Sequence, residues 1–172
     1  MQCISQDSSA SELEEANGKI AAALGQLAQS ENVFIRRDAT RALGPWGNKK
    51  SVEVLTVLVN HGDIFTQREA IKALTYYPSK AAAQTIATRV GEFQVTASVN
   101  ESFKVMEKYV EAALTPLLDS DQEAIRNHCY ELLAVYGTKK SLEKLESLID
   151  EQKPDVFQRS LFNAIEKIKM RG

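Results

Sequence analysis

The sequence predicts an all-α protein, a right-handed α-solenoid built from about five antiparallel helical hairpins. Apolar residues recur at helical spacing along nearly all of the 172 residues. A segment of roughly 30 residues also recurs with variations, which is typical of stacked repeats. The chain contains only 4 prolines and 8 glycines, and this low content of helix-breaking residues suits such a fold.

Segment 113–149 shows the repeat unit most clearly. Three leucines at spacings i, i+3 and i+4 make the apolar side of its first helix: Leu114, Leu117 and Leu118. The tripeptide 119–121 then ends that helix, and any of its three polar side chains can cap the next one. A second helix ends before Gly137, where the pattern predicts a left-handed C′ glycine. Ser141 is the predicted cap of the third helix.

The repeat is visible when the chain is compared with itself. A shift of 90 residues places 42–55 on 132–145, with coincident Leu, Gly, Lys-Lys-Ser, Glu and Leu. The same shift places Arg36 on Arg126, and a shift of 31 residues aligns the second hairpin with the first. Self-similarity with a period of about 30 residues predicts a solenoid of stacked hairpins.

The motif Leu-x-Pro-Leu-Leu-Asp-Ser-Asp at 114–121, followed by Ile-Arg, a small residue, Leu-Leu and a closing glycine, resembles the HEAT repeat. The likeness is to the short bacterial variety, of the kind also found in phycobilisome lyases. It implies that the second helix of each hairpin lines an inner, concave face. It also implies an ion pair between Arg126 and Asp119 or Asp121. HEAT arrays serve many unrelated functions, so the resemblance is specific for the fold.

The predicted boundaries follow this pattern in chain order. Residues 1–10 are polar and aperiodic, and we interpret them as a disordered tail before a single repeat domain at 11–170. Its hairpins are predicted at about 11–44, 50–77, 80–107, 109–136 and 141–170.

The first hairpin has a predicted buried face on its first helix, made of Leu13, Ala16, Ile20, Ala23, Leu24 and Leu27. Its second helix is expected to bury Ile35 and to end in a turn at 45–48. Small residues recur at one position of the second helices, where a large side chain would hold hairpins apart: Ala39, Ala70, Ser102, Cys129 and Ser160.

Three aromatic residues align at the ends of second helices: Trp46, Tyr77 and Tyr136. We expect them to fill the core, and a ligand shelf is the alternative. The last helix carries more apolar residues than one neighbour can cover: Phe157, Leu161, Phe162, Ile165 and Ile168. This surplus predicts a dimer contact or a continuation of the repeats in a longer chain.

The residue types that carry chemistry are not arranged for it. No spacing of His, Cys and carboxylate residues suits a zinc site, and no phosphate loop or nucleophile motif is present. Cys129 and His128 are adjacent on a helix and point about 100° apart, so Cys129 is interpreted as a packing residue and His128 as a partly exposed one. Turn and capping roles are favoured over cation binding for Asp119 and Asp121. We therefore expect no catalytic residue, no cofactor and no metal.

Charge and hydropathy restrict the partners. Residues 31–80 carry a net charge of +3 and residues 101–151 carry −5, which argues against tight binding of nucleic acid. No apolar run approaches the roughly 18–20 residues that a membrane crossing needs, so no membrane insertion is expected. The compartment is left open: the cytoplasm is favoured, and the periplasm fits if a targeting segment has been removed.

The candidate site is the concave face, formed by second-helix residues expected to be exposed: Arg36, Arg37, Thr40, Arg41, Arg68, Ile71, Lys72 and Tyr130. The groove is predicted to be basic toward the N-terminal half and aromatic or acidic toward the other. This favours a non-catalytic interaction scaffold within a larger bacterial protein, with another protein or peptide as partner, acidic groups being one option. The alternatives are a bilin lyase-like or chaperone-like HEAT protein and, with less support, a nucleic-acid binder. A homodimer through a terminal repeat is also left open.

Overall fold

The computed structural model describes residues 7–150 and 158–171, with side chains from Glu12 onward. Within these ranges all regular structure is helical, as expected. The helices are α1 (Asp7–Leu27), α2 (Val33–Trp46), α3 (Ser51–His61), α4 (Ile64–Leu74), α5 (Lys80–Ala87), α6 (Thr96–Val105), α7 (Glu107–Leu114), α8 (Glu123–Tyr136), α9 (Lys139–Glu146) and α10 (Arg159–Arg171), with a 3₁₀ turn at Thr115–Asp119.

The helices group into two compact units, divided between Pro78 and Ser79. In the first unit, α2 packs against α1 and α4, and α3 packs against α4. In the second unit, α8 packs against α7 and α10, α5 against α7, and α9 against α10. The single repeat domain at 11–170 and the right-handed superhelix stay predictions.

The small residues predicted at one second-helix position lie inside the units. Ala39 and Ala70 are buried in the first unit, and Ser102 and Cys129 are buried in the second. Ser160 is half-buried. Side chains of this size let neighbouring helices approach closely, and a larger one would strain the packing.

Helix α1 is rotated relative to the sequence-based expectation. It packs on its neighbours through Ala21, Gly25 and Ala28, which are buried. The prediction that Leu13, Ile20 and Leu27 lie on the buried face is therefore wrong, since all three are exposed. Ala16 and Ala23, predicted on the same face, are exposed as well. The small residues face the neighbouring helices because they allow a close helix–helix approach. Helix α1 also begins at Asp7, inside the segment predicted as a tail, and residues 1–6 lie outside the described residues.

Gly137 serves packing rather than backbone conformation. Its φ of −69° and ψ of 150° are extended, so the predicted left-handed C′ conformation is wrong. A Cβ built there would lie 2.6 Å from the Leu133 carbonyl oxygen and 2.7 Å from Ile168 Cδ1. Gly47, its counterpart by the 90-residue shift, would meet the Tyr77 hydroxyl at 2.5 Å. Both turns therefore need glycine because another chain segment passes close by.

The predicted caps in the second unit are replaced by other groups. Helix α9 is capped by Thr138 rather than by Ser141. The Glu111 carboxylate of α7 accepts hydrogen bonds from the Thr138 amide at 2.8 Å and the Ser141 amide at 3.1 Å. Partial burial alone would raise the pKa of Glu111, but these hydrogen bonds outweigh it and lower the pKa. At α8, the N-cap Gln122 makes no side-chain capping bond, so the predicted cap from 119–121 is wrong.

The last helix covers its apolar side within the second unit. Leu161, Ile165 and Ile168 are buried and Phe162 is half-buried, so the surplus predicted here is not seen in the described part of α10. Phe157 lies outside the described residues. The Arg171 guanidinium ends the helix by donating to the carbonyl oxygens of Ala134 at 2.6 Å, Val135 at 2.9 Å and Gly137 at 2.9 Å. These carbonyls end α8, where helical donors are lacking.

Candidate functional site

An ion pair between Arg36 and Asp63 fixes α2 against the start of α4. Asp63 caps α4 by accepting from the amides of Phe65 and Thr66, each at 3.1 Å. Its other oxygen accepts from Arg36 Nη2 at 2.7 Å. Arg36 also donates to the Ser30 carbonyl oxygen at 2.6 Å, which ties the turn between α1 and α2 into the same network.

The counterpart of Arg36 repeats half of this arrangement. Arg126 donates to the Ser120 carbonyl oxygen at 2.5 Å, and the 90-residue shift that aligns the arginines also aligns Ser30 with Ser120. The expected ion pair of Arg126 with Asp119 or Asp121 is not observed. Asp119 instead pairs with Lys144 at 2.5 Å. The contact that both arginines share is thus the hydrogen bond to the serine carbonyl oxygen of the preceding turn, and within the described residues only Arg36 adds an ion pair.

Two adjacent tyrosines fix the other end of the α2–α4 pair. The Tyr77 hydroxyl donates to the carbonyl oxygens of Leu43 at 2.5 Å and Gly44 at 2.8 Å, near the end of α2. This satisfies backbone acceptors that a helix end leaves open, and α2 continues through Pro45 instead of turning there. The Tyr76 ring lies against Gly44, where an added Cβ would come within 2.9 Å of it. Tyr77 therefore holds the α2–α4 pair together at this end, as the Arg36–Asp63 ion pair does at the other, and we call this fixed helix pair the frame. The Tyr76 ring lies on the surface of the frame.

Between these fixed ends lies an open cavity of about 650 Å³. We name it the α2–α4 groove and define it by Asp38, Arg41, Trp46, Glu69, Lys72 and Tyr76. Trp46 and Tyr76 are each 60% exposed. Large aromatic side chains bury most of their surface in most proteins, so two of them left open in one groove are unusual.

Cations and carboxylates alternate along the groove. Asp38 lies 3.0 Å from Arg41 and 3.3 Å from Arg37, and Glu69 lies 4.0 Å from Lys72. The predicted basic character of the groove is therefore partly neutralised by Asp38 and Glu69. These two carboxylates share α2 and α4 with the four predicted cations: Arg37, Arg41, Arg68 and Lys72. The remaining positive charge is modest and partly exposed to solvent.

The structure separates the predicted site residues into three groups. Arg41 and Lys72 line the groove, and Arg37 and Arg68 lie on the same two helices. Arg36 is engaged in the frame. The remaining three were expected to be partly exposed, and this is wrong because they are buried: Thr40, Ile71 and Tyr130.

The aromatic residues of the groove were misplaced by the sequence analysis. Trp46 was expected in the core, and the aromatic end of the concave face was expected in the C-terminal half, whereas Trp46 and Tyr76 are exposed in the first unit. Tyr77 and Tyr136 are half-buried. One signal was available: neighbouring helical residues point about 100° apart, so Tyr76 and Tyr77 cannot both face the core. Ile35, also expected inward, is exposed.

His128 and Cys129 both serve the packing of the second unit. His128 Nδ1 accepts from the Gly91 amide at 3.1 Å, and its Nε2 lies 3.2 Å from Asn100 Oδ1. Gly91 has a φ of +90°, and His128 pins that turn to α8. Burial lowers the pKa of His128 and favours its neutral form. Burial also raises the pKa of the Cys129 thiol to about 12, so it stays protonated and behaves as a packing residue.

The described residues show neither a metal-binding cluster nor a membrane-spanning helix. No group of three or more His, Cys, Asp or Glu side chains there is arranged to hold a metal ion. None of the helices in those ranges combines the length and apolar character that a membrane span requires.

Residues 20–104 match the family model of HEAT repeats. This part of the chain consists of HEAT repeats. The match includes α2, α4 and the whole groove, and the helical hairpins place the protein in the α-solenoid fold class. HEAT repeats generally bind other proteins. A crystal structure of an engineered protein from the Northeast Structural Genomics Consortium is 19% identical to this HEAT-repeat protein, with a TM-score of 0.48 over 98% of this chain and 94% of that chain. No curated protein matches the sequence.

Proposed function

We propose that this HEAT-repeat protein is a non-catalytic interaction module that holds a segment of a partner protein across the α2–α4 groove. The observation that carries the proposal is the pair of exposed rings, Trp46 and Tyr76, on a frame that hydrogen bonds hold at both ends. Trp, Tyr and Arg are the residues that most often dominate binding energy at protein interfaces.

The chemistry of the groove indicates the kind of segment that fits. The rings offer flat apolar surfaces for an apolar or proline side chain. Arg41 and Lys72 stand beside them and can pair with acidic groups once Asp38 and Glu69 exchange partners. A segment with one apolar anchor flanked by one or two carboxylates matches both features. The carboxylates among these cations would repel a phosphate backbone, which disfavours nucleic acid.

The experiment compares what the wild type and matched variants capture from cell extract. The groove variant is Trp46→Ser with Tyr76→Ser, and the control is Phe93→Ser, which removes a side chain that is 94% exposed in the second unit. Circular dichroism melting first shows that all three proteins are folded. We expect a partner that the wild type and the control retain and the groove variant loses.

Hydrogen exchange on the recovered complex then locates the contact. Protection at 41–46 and 72–76 is expected, because these segments line the groove. Equal capture by all three proteins, or protection elsewhere, would show that the groove is only a solvated surface.

A further inference from the structure

Helices α2 and α4 carry the same kinds of exposed side chain in the same order. On each helix the order is an apolar ring, a carboxylate, a cation and a second apolar ring. On α2 these residues are Phe34, Asp38, Arg41 and Pro45. On α4 and the turn that follows it they are Phe65, Glu69, Lys72 and Tyr76. A shift of 31 residues places each member of the first set on its counterpart in the second, and we name the two sets the α2 stripe and the α4 stripe.

The two stripes face solvent side by side. Intervals of four, three and four residues keep the members of a stripe on one face of their helix. All members after the first phenylalanine line the α2–α4 groove. Phe34 and Phe65, which are 65% and 55% exposed, extend that face toward the Arg36–Asp63 ion pair. The two helices run in the same direction, because both begin near this ion pair and both end near Tyr77.

Each stripe is complementary to itself when its order is reversed. On α2 the pair Asp38–Arg41 is centred on the same point of the helix as the pair Phe34–Pro45. A second copy laid antiparallel on this stripe therefore sets Asp38 opposite Arg41 and, at the same time, the Phe34 ring opposite Pro45. The α4 stripe has the same centring, so one rotation matches both stripes. A face that fits itself in this way is the kind that a two-fold symmetric dimer uses.

Charge selects the antiparallel arrangement. If α2 lay parallel on α4 of a second copy, Asp38 would stand opposite Glu69 and Arg41 opposite Lys72, and these like charges would repel. In the antiparallel arrangement Arg41 keeps its own Asp38 at 3.0 Å and gains the Asp38 carboxylate of the second copy. Glu69 and Lys72 gain neighbours of opposite charge in the same way. Four alternating charges then form a cluster on each pair of facing stripes.

The same charges decide the occupant of the groove. An acidic foreign segment has to draw Arg41 and Lys72 away from Asp38 and Glu69, whereas a second copy leaves both pairs intact. We propose that the α2–α4 groove binds a second copy of this chain, antiparallel, about a two-fold axis that crosses α2 and α4 at right angles. This inference rests on the proposed function, since it takes the same groove, and it names the partner.

The size of the two stripes sets the expected affinity. From Phe34 to Pro45 the α2 stripe rises about 16 Å along the helix axis. Two stripes of this length bury less surface than a standard protein–protein interface, and exposed ion pairs contribute little each. We therefore expect a weak dimer, with a dissociation constant on the order of 10–100 μM.

Self-association of the full chain is measured by sedimentation equilibrium at concentrations from about 10 to about 500 μM, a range that brackets this dissociation constant. We expect the weight-average mass to rise with concentration from the 19.1 kDa of the monomer toward twice that value.

Two charge variants test the complementarity of the stripes. Asp38→Lys with Glu69→Lys leaves only cations on both stripes, and Arg41→Glu with Lys72→Glu leaves only carboxylates. Each variant alone should self-associate at least about tenfold more weakly than the wild type, because like charges now face each other. An equimolar mixture of the two should dimerise again. If circular dichroism shows that one variant is poorly folded, the loss of self-association is tested on the other.

The matched control is Glu101→Lys with Glu107→Lys. It makes the same change in net charge as the basic variant, at exposed positions of the second unit. We expect its self-association to equal that of the wild type, and a loss as large as that of the basic variant would show that net charge, not the order of charges on the stripes, is responsible.

The outcomes separate this inference from the proposed function. A wild type that stays monomeric up to about 500 μM, or a mixture of the charge variants that stays monomeric, overturns the inference. If the Trp46→Ser, Tyr76→Ser variant then still loses a partner from cell extract, the proposed function stands with a different partner. Charge-dependent dimerisation, together with equal capture by that variant and the wild type, would show that the groove binds a second copy and no foreign segment.

Discussion

Asp63 is the residue on which the frame of the groove depends most directly. One carboxylate oxygen accepts two backbone amides of α4, and the other accepts the Thr66 hydroxyl at 2.6 Å and Arg36 Nη2 at 2.7 Å. Replacing Asp63 therefore changes a helix cap and an ion pair at once. Two substitutions separate these contributions: Asp63→Ala removes both, and Asp63→Asn keeps an oxygen that can cap the helix.

The expected magnitudes follow from the exposure of the pair. Loss of an N-cap costs about 1 kcal/mol in the free energy of unfolding. The side chains of Arg36 and Asp63 are 22% and 29% exposed, so solvent screens their attraction and we assign it about 1 kcal/mol, not the larger cost of breaking a buried pair. Asp63→Ala should thus destabilise the first unit by about 2 kcal/mol, and Asp63→Asn by about 1 kcal/mol.

The assay is urea unfolding followed by tryptophan fluorescence. Trp46 is the only tryptophan of the chain and lies in the first unit, so its signal reports that unit. With a urea m-value of about 2 kcal/mol/M, Asp63→Ala should lower the midpoint by about 1 M. Arg126→Ala serves as the control. Arg126 makes the corresponding carbonyl contact in the second unit, whereas the Trp46 signal reports the first unit.

The pH dependence provides a second measurement on the same residue. Partial burial alone would raise the pKa of Asp63, but hydrogen bonds from Thr66 and Arg36 outweigh it and hold the pKa well below its usual range. The stabilisation is therefore complete above the unfolded-state pKa of about 3.9 and is lost as the pH falls below it. Asp63→Asn should lack this loss. Equal midpoints for Asp63→Asn and wild type at pH 7 would refute the assigned ion-pair energy, and equal midpoints for the two variants would refute the assigned cap.

Three further predictions address other contacts. Tyr77→Phe should lower the unfolding free energy reported by Trp46 by about 1 kcal/mol, because the α2 carbonyls lose their donor, and an unchanged midpoint would contradict this. Because burial lowers the pKa of His128, the thermal midpoint followed by circular dichroism should fall as the pH drops below about 6.5, and His128→Asn should reduce that dependence; an equal dependence in both proteins would show that His128 is not the cause. Gly18→Ala should stabilise the chain by about 0.5–1 kcal/mol since its Cβ meets only solvent, whereas Gly137→Ala should destabilise it by about 1–3 kcal/mol through overpacking, and shifts of the same sign in thermal midpoint would refute this contrast.

Periodicity and self-similarity were enough to predict the helices and the repeat family. The shift that aligned Arg36 with Arg126 also aligns a contact that was not predicted, since both arginines bind the carbonyl of a serine in the preceding turn. The small residues at one second-helix position were likewise placed correctly in the interior, as Ala70 and Cys129 show. These features depend on the spacing of residues along a helix, because that spacing determines which side chains share one face.

The choice between two competing apolar faces could not be read from spacing. Helix α1 offers a leucine-rich stripe and a stripe with Ala21, Gly25 and Ala28, and the second one packs on the first unit. Hydrophobicity favours the leucines, but close packing favours the small residues when the neighbouring helices leave little room. The same limitation placed Trp46 in the core, because nothing local showed that the Tyr77 hydroxyl would occupy the end of α2.

The sequence by itself determined the helices, the HEAT repeats and the alignment of Arg36 with Arg126. The tertiary structure alone decided which aromatic rings remain open in the groove, which cations Asp38 and Glu69 neutralise, and which stripe of α1 faces outward. The physical reason is that helix formation depends on residues three or four positions apart. The exposure of a side chain depends instead on which distant segments pack against it, and that is a property of the folded units.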